Sequence, residues 1–324
     1  MKFRKLVNIV LVVLALGIAI IIARDFVMNR AGKVIENPYA FDVSEYAKVS
    51  ADEILYEEEK VLQLRVVEPK GIAFHQGTLF VIADSSLLQM NLQGQLLKET
   101  KMEASPTAIA VDDLVWLGMK NQVVCLNFDG QEVERWENYG DRSVITSLAV
   151  SPDFVFVADA GNRLVYQCKK NGELVRQIGE KNEQKAVPGF VVPSPYFDIA
   201  LSEEGYLWAV NPGRHSLENF NAEGALRTSW TSSSVKTEGF SGCCNPAHMT
   251  MMSENAFVTS EKGIVRVKIY DQHGKYQGVV AAPNQFEEVA HAPDVCVDEN
   301  GRVILLDFDR KQVRIFKPKE RGNS

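Results

Sequence analysis

From about residue 60 to residue 318 the apolar positions come in short bursts, each four to eight residues long and closed by Gly, Asp, Asn or Pro. Leu148 to Gly179, LAVSPDFVFVADAGNRLVYQCKKNGELVRQIG, is the most regular stretch. It holds four runs rich in Val, Leu, Ile, Phe and Tyr, separated by Ser-Pro-Asp, Asp-Ala-Gly-Asn and Lys-Asn-Gly. That pattern predicts a four-stranded antiparallel sheet with tight turns. One such sheet cannot bury both faces by itself. Stacking several around an axis does so, and the result is a β-propeller.

The copies align on the start of their first strands: Gly71-Ile72-Ala73, Ala108-Ile109-Ala110, Ser147-Leu148-Ala149, Asp198-Ile199-Ala200, His248-Met249-Thr250 and Val295-Cys296-Val297. The second members of these triplets are 37, 39, 51, 50 and 47 residues apart, which is blade spacing. Six blades are expected, within a propeller spanning 53–318. The last copy makes only three strands before Lys317-Pro318, and an unpaired run, Val61 to Glu68, precedes the first. We expect that run to complete the sixth blade and close the ring without leaving open sheet edges. The acidic trio Glu57, Glu58 and Glu59 just before it reads as a solvated turn.

Ahead of the repeats the pattern changes. Leu6 to Ala23 has Asn8 as its only polar side chain, and as a helix these 18 residues would span about 27 Å, close to the hydrocarbon thickness of a bilayer. This predicts a single transmembrane helix acting as a signal-anchor, after a cytoplasmic tail of residues 1–5. A cleaved signal peptide usually has a shorter apolar region and a small-residue cleavage site, and neither is seen here. The stretch 24–52 lacks periodicity and reads as a tether, and 319–324 as a tail. With the leading end cytoplasmic, the propeller is expected outside the cytoplasm. Flanking charges are nearly balanced, Lys2, Arg4 and Lys5 against Arg24, Arg30 and Lys33.

The composition, 46% hydrophobic and 24% charged over 324 residues, is that of a globular protein. The net charge of −7 argues against a nucleic-acid surface. Five cysteines form no disulfide framework. Cys125, Cys168 and Cys296 fall inside strand patterns and read as small core residues.

Two corners carry a family resemblance. Asp159-Ala160-Gly161-Asn162-Arg163-Leu164-Val165-Tyr166 and Asp307-Phe308-Asp309-Arg310-Lys311-Gln312-Val313-Arg314-Ile315-Phe316 resemble the corner and third strand of NHL repeats. The second and fifth copies depart from it, with Leu117-Gly118-Met119-Lys120 and Ser260-Glu261-Lys262-Gly263 at the corner. The resemblance implies an all-β, six-bladed propeller of NHL type. It leaves activity open, since such propellers include a peptide-amidating lyase, RNA-binding modules and protein-binding ectodomains.

Candidate chemistry gathers on one face. Because strands alternate in direction, the corners between second and third strands and the connections between blades emerge together. The longest connections are Glu180 to Pro195, Thr231 to Pro246 and Ala281 to Pro293, and long loops on a rigid scaffold are where binding residues concentrate. Asp198, Arg214, His215, Cys243, Cys244, His248, His291 and Asp294 are all expected on this face as a ligand-binding set. Within it, Cys243, Cys244 and His248 could hold a transition metal such as zinc. The adjacent cysteines could also cycle as a strained disulfide, or simply shape a tight loop beside Pro246. His75 and His273 map to hairpins on the opposite face. No catalytic triad order, phosphate-cradling loop or helical zinc motif is present. The sequence therefore points to a membrane-anchored, exported propeller that binds a protein, peptide or envelope ligand, with no nucleic acid expected. The alternative is a metal-dependent, lyase-like or thiol-redox protein using the Cys243-Cys244/His248 loop.

Overall fold

A computed structural model describes residues 2–29, 45–181, 189–287 and 290–320. The chain divides into two compact units, Met1–Asp42 and Val43–Ser324. The larger one is a six-bladed β-propeller: six four-stranded antiparallel sheets, each running outward from an inner strand. The inner strands are Pro69–His75, Ala108–Val111, Ile145–Val150, Ile199–Leu201, His248–Met252 and Asp294–Val297. They neighbour one another in sequence order, and the last returns to the first, so the ring is closed.

Burial follows from this stacking. Second strands such as Thr78–Ala83 and Val115–Gly118, and third strands such as Leu164–Lys169, are buried on both faces because each sheet lies between two others. Outer strands such as Glu132–Arg135 are exposed throughout. The apolar clusters accordingly straddle neighbouring blades; Phe80, Ile82 and Leu87 of blade 1 pack with Val115, Leu117 and Val124 of blade 2. Cys125, Cys168 and Cys296 are buried in such clusters, as expected.

The sixth blade is completed by an early strand, but it is Tyr56–Gln63 rather than 61–68. The acidic trio is thus in the strand, not in a turn. As the outermost strand it meets solvent, and its acids find bases: Glu58 pairs with Arg314 at 2.7 Å, Glu57 with Lys317 at 3.1 Å, and Glu59 with Arg302 at 3.2 Å. Residues 64–68 instead form the connection into blade 1, tied by the Leu64 amide donating to the Lys311 carbonyl.

Just before the closing strand, the chain makes a second attachment. The Leu55 amide donates to the Val279 carbonyl, and the Val279 amide to the Glu53 carbonyl, so residues 53–55 run beside the outer strand of blade 5. Gly278 is required there, since a Cβ on it would lie 2.5 Å from the Leu55 side chain.

The corner resemblance has a physical basis. In four blades the side chain at the end of the second strand accepts an amide hydrogen from the connection arriving from the previous blade; in blade 6 that amide, of His291, goes to Asp309. Asp159 accepts from Val144, Gly161 and Asn162, Asn211 from Val191, and Glu261 from Ser241. Asp84 does the same for Val67 and Glu68 in blade 1. Blade 2 has Met119 at this position and ties the connection through backbone, with the Thr107 amide donating to the Gly118 carbonyl.

The smaller unit contains a helix, Lys2–Asn29, whose side chains from Val10 through Ile22 are largely exposed and apolar. Among the described residues no helix is long and apolar enough to cross a membrane. The side chains of Leu6 and Ile9 of the expected span, residues 30–44 of the tether and residues 321–324 of the tail lie outside the described residues, as do 182–188 and 288–289 of two long connections.

Candidate functional site

The inner strands of all six blades line a central channel that opens on the face of the interblade connections into a cavity of about 800 Å³. Short residues make the space, with Gly71, Ala73, Ala108, Ala110, Ala149 and Ala200 along the wall. At the mouth stand Tyr196, Asp198, His248, His291, Asp294, Phe308 and Asp309.

His248 opens the inner strand of blade 5 between two carboxylates, Asp198 from blade 4 and Asp294 from blade 6. Its Nδ1 lies 3.7 Å from Asp198 Oδ2 and 3.7 Å from Asp294 Oδ1. These are ion-pair distances, too long for direct hydrogen bonds. The buried Nε2 has no hydrogen-bond partner. Tyr196 packs edge-on against the imidazole with centroids 5.6 Å apart, and Phe308 lies on the other side at 6.1 Å.

Each carboxylate also laces blades together. Asp198 accepts from its own strand at Ile199 and from the next blade at Met249; Asp294 accepts from Val295 and, across the ring closure, from Ile72. In blade 3 a hydroxyl takes this role, with Ser147 accepting from Ile199. Every carboxylate oxygen keeps a lone pair after one such bond, so the lacing leaves capacity for a ligand.

Burial pushes the Asp294 carboxyl up to about 6, and the nearby Asp198 charge adds to this, while His248 and the two amides pull back. Burial disfavours the charged His248 ring, but the two carboxylates outweigh it and hold its pKa above the usual value. Among the described residues Asp198, His248 and Asp294 form the one group whose ligand atoms, two oxygens and a nitrogen, lie within 4.8 Å of each other. Ligands at zinc distances from one ion sit about 3.0 to 3.4 Å apart, so small rotations would suffice to bring this set together.

The structure brings Asp198, His248, His291 and Asp294 to the cavity wall and leaves Arg214, His215, Cys243 and Cys244 outside it. His291 is 65% exposed at the rim and bonded to Asp309 at 2.8 Å. Exposed Arg214 follows the second strand of blade 4. His215 is a loop strut: its Nδ1 meets the Ser233 hydroxyl at 2.9 Å and its Nε2 the Gly242 carbonyl at 2.7 Å. Among the described residues the close group of candidate ligand atoms at His248 is completed by Asp198 and Asp294, and Cys243 and Cys244 are not part of it. Asp309 and Phe308 escaped the sequence reading as site residues. Their signal was present, since both belong to the corner of blade 6, which faces the same way as the connections.

No protein-family model matches the chain, and no curated protein does at a significant level. Solved structures do resemble it. A streptogramin B lyase aligns with a TM-score of 0.57 at 11% identity, covering 83% of this chain and 100% of that one. A catalytically inactive virginiamycin B lyase from Staphylococcus aureus with quinupristin, in which a histidine is replaced by alanine, gives 0.56 at 13% identity over 80% of this chain and 99% of that one. The WD40 propeller domain of Doa1 gives 0.55 at 11% over 82% and 98%. Similarity to lyases and to a WD40 domain alike, at such low identity, shows the propeller fold and nothing narrower.

Proposed function

We propose that the protein is an NHL-type propeller, anchored in a membrane by its N-terminal helix and displayed outside the cytoplasm, that binds a ligand at the mouth of its central channel. The ligand is a peptide, a protein segment or an envelope component that presents a cationic group. One observation carries this reading: the cavity of about 800 Å³ holds Asp198 and Asp294 with only His248 between them. Lys70, the cation in the wall, is engaged by Glu68. An ammonium or guanidinium group would supply the missing charge, and Tyr196 and Phe308 offer ring faces for its apolar stem. In calorimetric titration, a short lysine-containing peptide should bind at least tenfold more tightly than its acetylated counterpart, and Asp294→Asn should remove the difference. Equal binding of both peptides would count against the reading.

A second reading is favoured by the compact nitrogen-and-oxygen donor set itself. Asp198, His248 and Asp294 would hold a borderline divalent ion such as zinc, whose chemistry when bound would be to polarise a ligand carbonyl, as metal-dependent lyase-type reactions require. Elemental analysis of the purified full chain, beside His248→Ala, separates the two: stoichiometric zinc in the parent and none in the variant would favour the metal.

A further inference from the structure

The adjacent thiols of Cys243 and Cys244 lie outside the channel site and are not used by it. They sit in the connection from blade 4 to blade 5, on a backbone held from both sides. The Ser241 amide donates to Glu261, the Asn245 side chain bonds the carbonyls of Ser241 and Lys262, and the Lys262 amide returns a bond to Asn245. The His215 ring holds the Gly242 carbonyl, and the Ala247 amide donates to Ser260. On this support the two sulfurs are in contact at 3.2 Å.

Their surroundings differ. Cys243 is exposed, whereas Cys244 is buried. Burial works against ionisation of Cys244, but the Ser194 hydroxyl, the Cys243 thiol and the Lys262 ammonium outweigh it and hold its pKa below the usual thiol value. Interaction with Cys244 pushes the Cys243 pKa up. The Lys262 ammonium is fixed by donating to Ser194 at 3.2 Å and lying 4.7 Å over the Tyr196 ring. The accessible sulfur can meet an external disulfide, and the sheltered sulfur in contact with it is placed to resolve the mixed disulfide that forms.

We propose that Cys243 and Cys244 are a redox-active dithiol that exchanges with low-molecular-weight disulfides and closes to a reversible vicinal disulfide. Cys243, as its thiolate, attacks one sulfur of the external disulfide; that S–S bond breaks, and one thiolate leaves and takes up a proton. Cys244 thiolate then attacks Cys243 Sγ, forming the internal S–S bond and expelling the second thiolate, which is protonated in turn. The two cysteines lose two electrons and two protons, and the external disulfide becomes two thiols. Neighbouring Cα atoms are about 3.8 Å apart, below the usual span of about 4.4 to 6.8 Å across a disulfide. The closed form is therefore strained and readily reduced, which makes the couple reversible.

The full chain, equilibrated with glutathione disulfide, acid-quenched, alkylated and mapped by mass spectrometry, tests this. In the parent, the peptide containing Cys243 and Cys244 should lose two hydrogens, carry no adduct and regain both thiols with dithiothreitol. Cys125, Cys168 and Cys296 should alkylate only after unfolding. Cys244→Ser should stop at a glutathione adduct on Cys243. Lys262→Gln, which keeps both sulfurs, should slow closure several-fold and so tests the couple even if the serine variant does not fold. A parent that stays fully reduced, or that stops at the adduct, would overturn the proposal, as would closure at the parental rate in Lys262→Gln.

Discussion

Asp294 begins the inner strand of blade 6 with its carboxylate largely buried, facing Asp198 and His248. Its pKa, raised to about 6, means that the folded state holds this proton more tightly than the unfolded chain does. The linkage sign follows: the contribution is favourable below the unfolded carboxylate value and is lost as pH rises from about 4 to about 6. His248, also raised, acts in the same direction at higher pH, its stabilisation being complete below its unfolded pKa and lost as pH climbs through the folded value. In urea titrations the stability of the parent relative to Asp294→Asn should therefore fall by about 2 to 3 kcal/mol between pH 4 and pH 7. A pH-independent difference would show that the carboxylate is solvated in the folded protein. Glu261 poses the opposite case. It is fully buried, with Arg266 at 3.1 Å and Lys268 at 2.6 Å, both also fully buried. Glu261→Gln leaves two cations without their counter-charge and should cost about 3 to 5 kcal/mol. Lys268→Met removes the surplus cation, whose pKa burial already lowers to about 8, and should cost less. Denaturation midpoints of the two variants decide the order.

At the scale of elements, ring closure rests on one strand. Tyr56–Gln63 alternates only weakly, and Leu62 is its deepest anchor beside Tyr56, packed among Val313, Ile315 and Leu79. Leu62→Ala should cost about 2 to 4 kcal/mol, while Val61→Ala, on the exposed side at 45% accessibility, should change stability by less than about 0.5 kcal/mol. The chevron or equilibrium urea curve of each variant gives the comparison. The blades were legible in the sequence because Val, Leu and Ile alternate with fixed turn residues, and second strands such as Phe154–Asp159 end within a residue of the expected place. The closing strand was misplaced because nothing local says that Glu57 to Glu59 will face Lys317, Arg314 and Arg302, more than 240 residues away in sequence. Similarly, the fifth corner departs from the repeat in sequence but not in role. Glu261 receives the Ser241 amide as Asp159 receives that of Val144; its longer side chain fits the extra cations of that blade. The channel-mouth residues Asp198, His248 and Asp294 were legible from blade phase alone. The fate of the cysteines was not, because loop paths carry no periodicity.

For the whole molecule, the large unit carries the acidic surplus of the chain, and the helix Lys2–Asn29 carries the longest apolar run. Carbonate extraction of membranes from cells expressing the full chain should leave the protein in the pellet, and removal of residues 1–30 should release it to the supernatant. Recovery of the full chain in the carbonate wash would remove the anchor from the proposed function. The double attachment at the start of the propeller, residues 53–55 on blade 5 followed by Tyr56–Gln63 on blade 6, has a mechanical consequence. A pull on the leading segment reaches the short stitch at Val279 first, and then the closing strand. A load along that strand strains its hydrogen bonds to Gln312–Pro318 together in shear, instead of peeling them one by one. The seam that closes the ring thus also takes up a load applied at residues 53–55, with blades 5 and 6 sharing the tension.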